Sequence, residues 1–151
     1  MSVLIIGVGN ADRGDDAAGA LVARRLRGLG LDAREHNGEG LSLIESWTGA
    51  QDVILIDAVL TGAPPGTITV WDARQAPVVR DAFRGSTHAF GVAEGVELAR
   101  ALGRLPPSLT IYGIEAQHFL PGHPPSPAIL RAVEEVARRI AKKSNSLCAF
   151  A

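Results

Sequence analysis

The chain has 151 residues, 46% of them hydrophobic and 21% charged, which gives room for one domain with a full core and not for two. Fifteen Lys and Arg are set against sixteen Asp and Glu, so no net charge draws it to phosphate backbones or anionic membranes, and nucleic acid is excluded as an expected partner. The sole cysteine, Cys148, can form neither an internal disulfide nor a multi-cysteine metal site.

The opening MSVLIIGVGN lacks the basic region and cleavage site of a signal peptide, and no apolar run approaches the roughly 20 residues that span a bilayer. A cytoplasmic protein is expected. Val3 to Val8 reads as a parallel strand buried on both faces, ended by Gly7-Val8-Gly9-Asn10. From Asp16 to Leu26 the spacing predicts an amphipathic helix that Gly28 and Gly30 close. A short strand over Leu31 to His36 and a short helix over Leu41 to Trp47, entered through Gly38-Glu39-Gly40, come next. Val53-Ile54-Leu55-Ile56 is a central strand with Asp57 at its C-terminal end.

The Thr61 to Gly66 connection is too short for a crossover helix, so the Thr67 to Trp71 strand is expected to run antiparallel to the others. After a polar loop, Ser86-Thr87-His88 precedes a helical pattern through Leu102, with Ser86 or Thr87 as N-cap and His88 in the first turn. Leu109 to Ile114 is the last strand, and Pro127 to Lys142 the last helix, with residues 144–151 read as a frayed tail. Without repeats or linkers, this order gives a single α/β domain over 1–143, a three-layer sandwich with a mixed sheet between helices.

In open α/β sheets, ligands bind beyond the C-terminal strand ends where the strand order reverses. The loop carrying Asn10, Asp12, Asp15 and Asp16, the strand end at Asp57, and the connection bearing His88 can converge there. Two carboxylates and an imidazole form a partial shell for a borderline divalent metal such as nickel or zinc. Each residue also has an ordinary structural reading: Asp16 as a charge at a helix N-terminus, Asp57 as a turn cap, His88 as a cap or surface side chain. His36, His118 and His123 lie in or beside loops, where an exposed histidine is the default.

These residues resemble the hydrogenase maturation endopeptidases, a family that trims the C-terminal extension from the nickel-loaded large subunit of nickel-iron hydrogenases. The resemblance rests on Gly7-Val8-Gly9-Asn10 followed by Asp15-Asp16-Ala17-Ala18-Gly19, on Ile54-Leu55-Ile56-Asp57-Ala58, on Pro65-Gly66-Thr67, and on Ser86-Thr87-His88, covering residues 2 to about 140. It implies a twisted five-stranded sheet of order 2-1-3-5-4 with strand four antiparallel. It also implies that Asp16, Asp57 and His88 bind nickel supplied by the precursor, not held permanently, and that the protein acts as a monomer.

Asp16 stands where some members carry glutamate. Gly38-Glu39-Gly40 replaces a Gly-Thr-Gly-like turn, whose flanking glycines, with Asn10, would meet the substrate peptide. Either nickel as a Lewis acid or an aspartate as general base would activate the water. The same residues admit two other readings. A phosphoaccepting receiver domain would share an acid pair, a strand-end aspartate and Thr87, but Ile114-Glu115-Ala116 lacks the expected lysine. A dinucleotide site would share Gly7-Val8-Gly9 and Glu35, but the third glycine is absent and Asp12 would repel a pyrophosphate.

Overall fold

Continuous aliphatic runs build the centre of the molecule. In the computed structural model, which describes residues 2–85 and 87–149 with side chains as far as Ser144, Leu4–Val8 forms β1 and Asp52–Val59 forms β3. Both are buried on both faces, as parallel strands between helical layers must be. Ala33–His36 (β2), Ile68–Asp72 (β4) and Ser108–Glu115 (β5) complete one sheet of order β2-β1-β3-β5-β4. β4 alone is antiparallel, pairing Val70 with Tyr112. The reversal agrees with the short 61–66 connection, which leaves no room for a crossover helix.

The two faces of the sheet carry separate apolar clusters. Ile5, Ile54, Ile56, Tyr112 and Ile114 pack beneath Ala18–Gly28 (α1) and Pro127–Ala149 (α4). Leu4, Ile6, Leu55 and Ile111 pack beneath Gly40–Ser46 (α2) and Val92–Ala101 (α3). Because successive strand residues point to opposite faces, the alternation Leu4, Ile5, Ile6 feeds both layers in turn. The result is the three-layer α/β arrangement expected from the sequence.

Several boundaries differ from that expectation. Asp16 lies in a 3-10 turn over Gly14–Ala17, and α1 begins only at Ala18. α3 begins at Val92 with Gly91 as its N-cap, so His88 sits in the preceding loop and not in a first helical turn. Thr87 is therefore no cap, and Ser86 lies outside the described residues. A 3-10 turn over Arg80–Phe83 interrupts what reads as a plain polar loop. α4 continues to Ala149 in place of fraying after Lys143, because no proline or glycine follows Pro127 to stop it. The Cys148 side chain lies outside the described residues.

One contact fixes how closely α1 approaches the sheet. A Cβ at Gly19 would stand 2.3 Å from Val8 O and 2.4 Å from Ile56 O, and one at Gly7 would stand 2.0 Å from Gly19 O. Backbone meets backbone here, leaving no flexible side chain to yield. Gly19→Ala is expected to cost about 1–3 kcal/mol or more, as overpacking does, and a urea denaturation series would read it as a lower midpoint. An unchanged midpoint would mean that the helix can retreat from the sheet freely.

Candidate functional site

The site follows from unequal strand lengths. β1 pairs with β3 only as far as Gly7 opposite Ile56, whereas β3 runs on through Val59 beside β5. Asp57 therefore stands inside β3, not at its end as the sequence reading has it, yet just past the reach of β1. The space that β1 vacates is filled by the loop carrying Asp16. A small cleft of about 20 Å³, room for roughly one water, is lined there by Gly9, Asp16, Asn37, Gly38, Asp57, Gly85 and Thr87, among others.

The two carboxylates differ in their surroundings. Asp57 is buried, and that burial together with the neighbouring Asp16 charge pushes its carboxyl well above the usual carboxylate range. Asp16 is also raised by burial, but less freely, since the Asn10 N–H donates to its Oδ2 at 3.1 Å and Arg13 Nη1 lies 3.6 Å from the same oxygen. The Asp16 charge disfavours ionisation of Asp57, so Asp57 is the readier of the two to keep its proton.

His88 occupies the rim. Its Nε2 lies 3.1 Å from Asn37 O, and its ring is near enough for its charge to act on Asp16. Arg80, Phe83 and Arg84 line a second depression with it. The structure thus brings Asp16 and Asp57 together and sets His88 on the adjoining loop. Among the described residues, no three His, Cys, Asp or Glu side chains stand close enough to hold a metal ion by themselves.

The expected peptide-contact residues separate in the same way. Gly38, at φ +91°, lines the cleft, and a Cβ there would meet Val8 Cγ1 at 2.9 Å. Gly40 instead packs under the loop before α3, its N–H donating to Phe90 O at 2.8 Å. Asn10 lies exposed, its side-chain oxygen accepting from Asp12 N and its own N–H holding Asp16. Glu39, between the glycines, caps α2 by accepting from Leu41 N at 3.0 Å and Ser42 N at 2.8 Å.

Three features escaped the sequence reading. Asp15, adjacent to Asp16, is fully buried and accepts from Gln117 N, His118 N, Ser126 N and Ser126 Oγ. It ties the first loop to the loop after β5. His36 is half-buried, not exposed: its Nδ1 accepts from Gly38 N at 2.9 Å, which places the ring proton on Nε2 beside Ser42 Oγ. Arg13 reaches from Asp16 to Gly85 O and over the Phe119 ring. His118 and His123, edge to face at 6.2 Å, belong to the loop Asp15 secures and not to the cleft.

Comparison with known proteins decides the family. A sequence model described as HycI, hydrogenase maturation protease, matches residues 38–143, which include Asp57 and His88. The chain belongs to the hydrogenase maturation protease family. Among members of that family with solved structures, the NiFe hydrogenase maturation protease HybD from Thermococcus kodakarensis aligns with a TM-score of 0.72 at 25% identity, covering 95% of this chain and 99% of that one. The hydrogenase maturating endopeptidase HybD from E. coli shares the fold, with a TM-score of 0.71 at 22% identity, over 93% and 90% of the two chains.

A curated relative, the hydrogenase expression/formation protein HupD of Thiocapsa roseopersicina, is 26% identical over 118 residues, 75% of this chain and 53% of its own length. The chain spans about half the length of the first curated relatives it matches. Among the described residues of this family member, no helix is long and apolar enough to cross a membrane.

Proposed function

We propose that the chain is an endopeptidase that removes the C-terminal extension of a nickel-loaded hydrogenase large-subunit precursor, recognising the nickel through Asp16, Asp57 and His88. The observation that carries this reading is the meeting of one buried carboxylate, Asp57, and one half-buried carboxylate, Asp16, in one cleft, with an imidazole on the loop at its rim. Carboxylate and imidazole together suit a borderline divalent ion. An ion arriving with ligands of its own needs only a few more donors, which fits a site whose three donors are not gathered in advance.

His88 would give up the Asn37 carbonyl and turn its Nε2 inward when the precursor docks. Anchoring the metal in this way holds one peptide bond of the precursor beside a water in the cleft, and orientation of this kind contributes about 7–11 kcal/mol to a reaction barrier. Asp57, which burial and the Asp16 charge keep protonated more readily than an ordinary carboxyl, is suited to exchanging a proton with the reacting groups. Nickel enters as part of the substrate and leaves with it. We place the reaction in the cytoplasm and the enzyme as a monomer acting on one precursor at a time.

His88→Ala tests the third arm. The ring is only partly buried and lies outside both apolar clusters, so unfolding free energy should stay within about 0.5 kcal/mol of the parent. Processing of the nickel-loaded precursor, followed by intact mass, should fall by at least about 10²-fold. Processing at the parent rate would remove His88 from the mechanism.

A further inference from the structure

Arg13 belongs to none of the motifs, yet it stands where three loops meet. Its Nη1 lies 3.6 Å from Asp16 Oδ2 and donates to Gly85 O at 3.0 Å. Its guanidinium carbon lies 5.1 Å from the centre of the Phe119 ring. Gly85 lines the cleft, and a Cβ there would strike Phe119 at 2.3 Å, so Arg13, Gly85 and Phe119 form one stack beside Asp16. The paired side chains are 23% and 14% exposed, and a pair this shielded is screened much less than a surface one.

Arginine keeps its charge at every accessible pH. A divalent ion approaching Asp16 therefore meets a carboxylate already partnered and a positive charge it must displace. A free ion brings nothing to offset that displacement. An ion carried by a polypeptide does, because contacts between the polypeptide and the cleft add to its binding.

We infer that Arg13 is a specificity-determining residue that holds the Asp16 carboxylate against free divalent cations, so that the aspartates accept an ion only when a docked polypeptide presents it. This rests on the nickel-reading function proposed above and adds to it the means of ignoring free metal.

Titration of NiCl₂ into the tag-free full chain by calorimetry tests it, with thermal melts confirming that each variant is folded. Arg13→Met should bind nickel about ten-fold or more tightly than the parent, the scale on which a close charge moves a carboxylate equilibrium. Adding Asp16→Asn should abolish the gain, which separates this site from His36, His118 and His123. Arg13→Lys keeps the charge without the guanidinium bond to Gly85 O and should stay near the parent; if Arg13→Met fails to fold, Arg13→Gln takes its place.

Unchanged affinity in Arg13→Met, or a gain in Arg13→Lys equal to that in Arg13→Met, would overturn the inference; the second result would make Arg13 a scaffold. Cleavage is scored separately. A parent that processes the precursor while Arg13 variants leave nickel affinity unmoved sinks the Arg13 role alone. A parent that never cleaves, with Arg13→Met still gaining affinity, sinks the proposed function and leaves Arg13 guarding Asp16.

Discussion

Replacing Asp57 by asparagine is expected to lower cleavage of the precursor by about 10²- to 10⁴-fold while making the protein more stable at neutral pH. The two effects have one cause. Folding moves this carboxyl from water, with a usual value of 3.8, into the core beside Asp16, where it is held protonated well above that value. The folded chain thus binds the proton more tightly than the unfolded one. Stability falls as pH rises from the unfolded value through the folded one, and the penalty is complete above it.

Asparagine has no such proton to lose, so urea midpoints of Asp57→Asn and the parent should diverge as pH is raised from 4 to 8, with the variant higher. A parallel pH dependence in the two proteins would show that Asp57 is not the buried, proton-retaining acid described above. Normal cleavage by the variant would remove it from the chemistry. A residue whose loss stabilises the fold and abolishes the reaction is retained for function, since buried polar groups that serve only stability behave in the opposite way.

Asp15→Ala should do that opposite thing. The side chain is fully buried and accepts four hydrogen bonds, from Gln117 N, His118 N, Ser126 N and Ser126 Oγ. Alanine strands those donors without water, and a loss of about 3–5 kcal/mol is expected, the cost of breaking a buried charged network. Burial by itself would raise the Asp15 carboxyl, but the N–H groups of Ser126, Gln117 and His118 outweigh it and hold it below 3.8. Its contribution is therefore complete above the unfolded value and lost as pH falls through the lower folded one. Acid titration should show the parent losing stability below about pH 4 along a slope that Asp15→Ala lacks. An Asp15→Ala protein as stable as the parent would mean that the loop after β5 is secured by other contacts.

Two adjacent acids with opposite duties mark where the sequence stops being legible. The aliphatic runs that became β1 and β3 announced a buried parallel sheet, and the short connection at 61–66 announced the antiparallel β4. Strand order came through family resemblance. Asp57 stood out because it directly follows four aliphatics. Nothing in the letters Asp15-Asp16 says which one faces the cleft, because that depends on a 3-10 turn and on Ser126, more than 100 residues away.

The His88 loop departs from the sequence expectation for a similar reason. The pattern up to Leu102 is helical, but the segment before Val92 is held off by Phe90 packing against Gly40 and by the Gly40 N–H to Phe90 O bond. Those are contacts between distant parts of the chain. Arg13 was invisible as a site residue because a lone arginine in a loop has no spacing to give it away. Lys142 and Lys143 suggested a last helical turn, yet the absence of any glycine or proline up to Ala149 was the better guide.

The most direct test of the central claim mixes the full chain with a hydrogenase large-subunit precursor prepared with and without nickel, and follows the C-terminal extension by intact mass. Loss of the extension from the nickel-loaded precursor alone is the predicted result. Equal cleavage of both forms, or of neither, would contradict the reading of nickel by Asp16, Asp57 and His88.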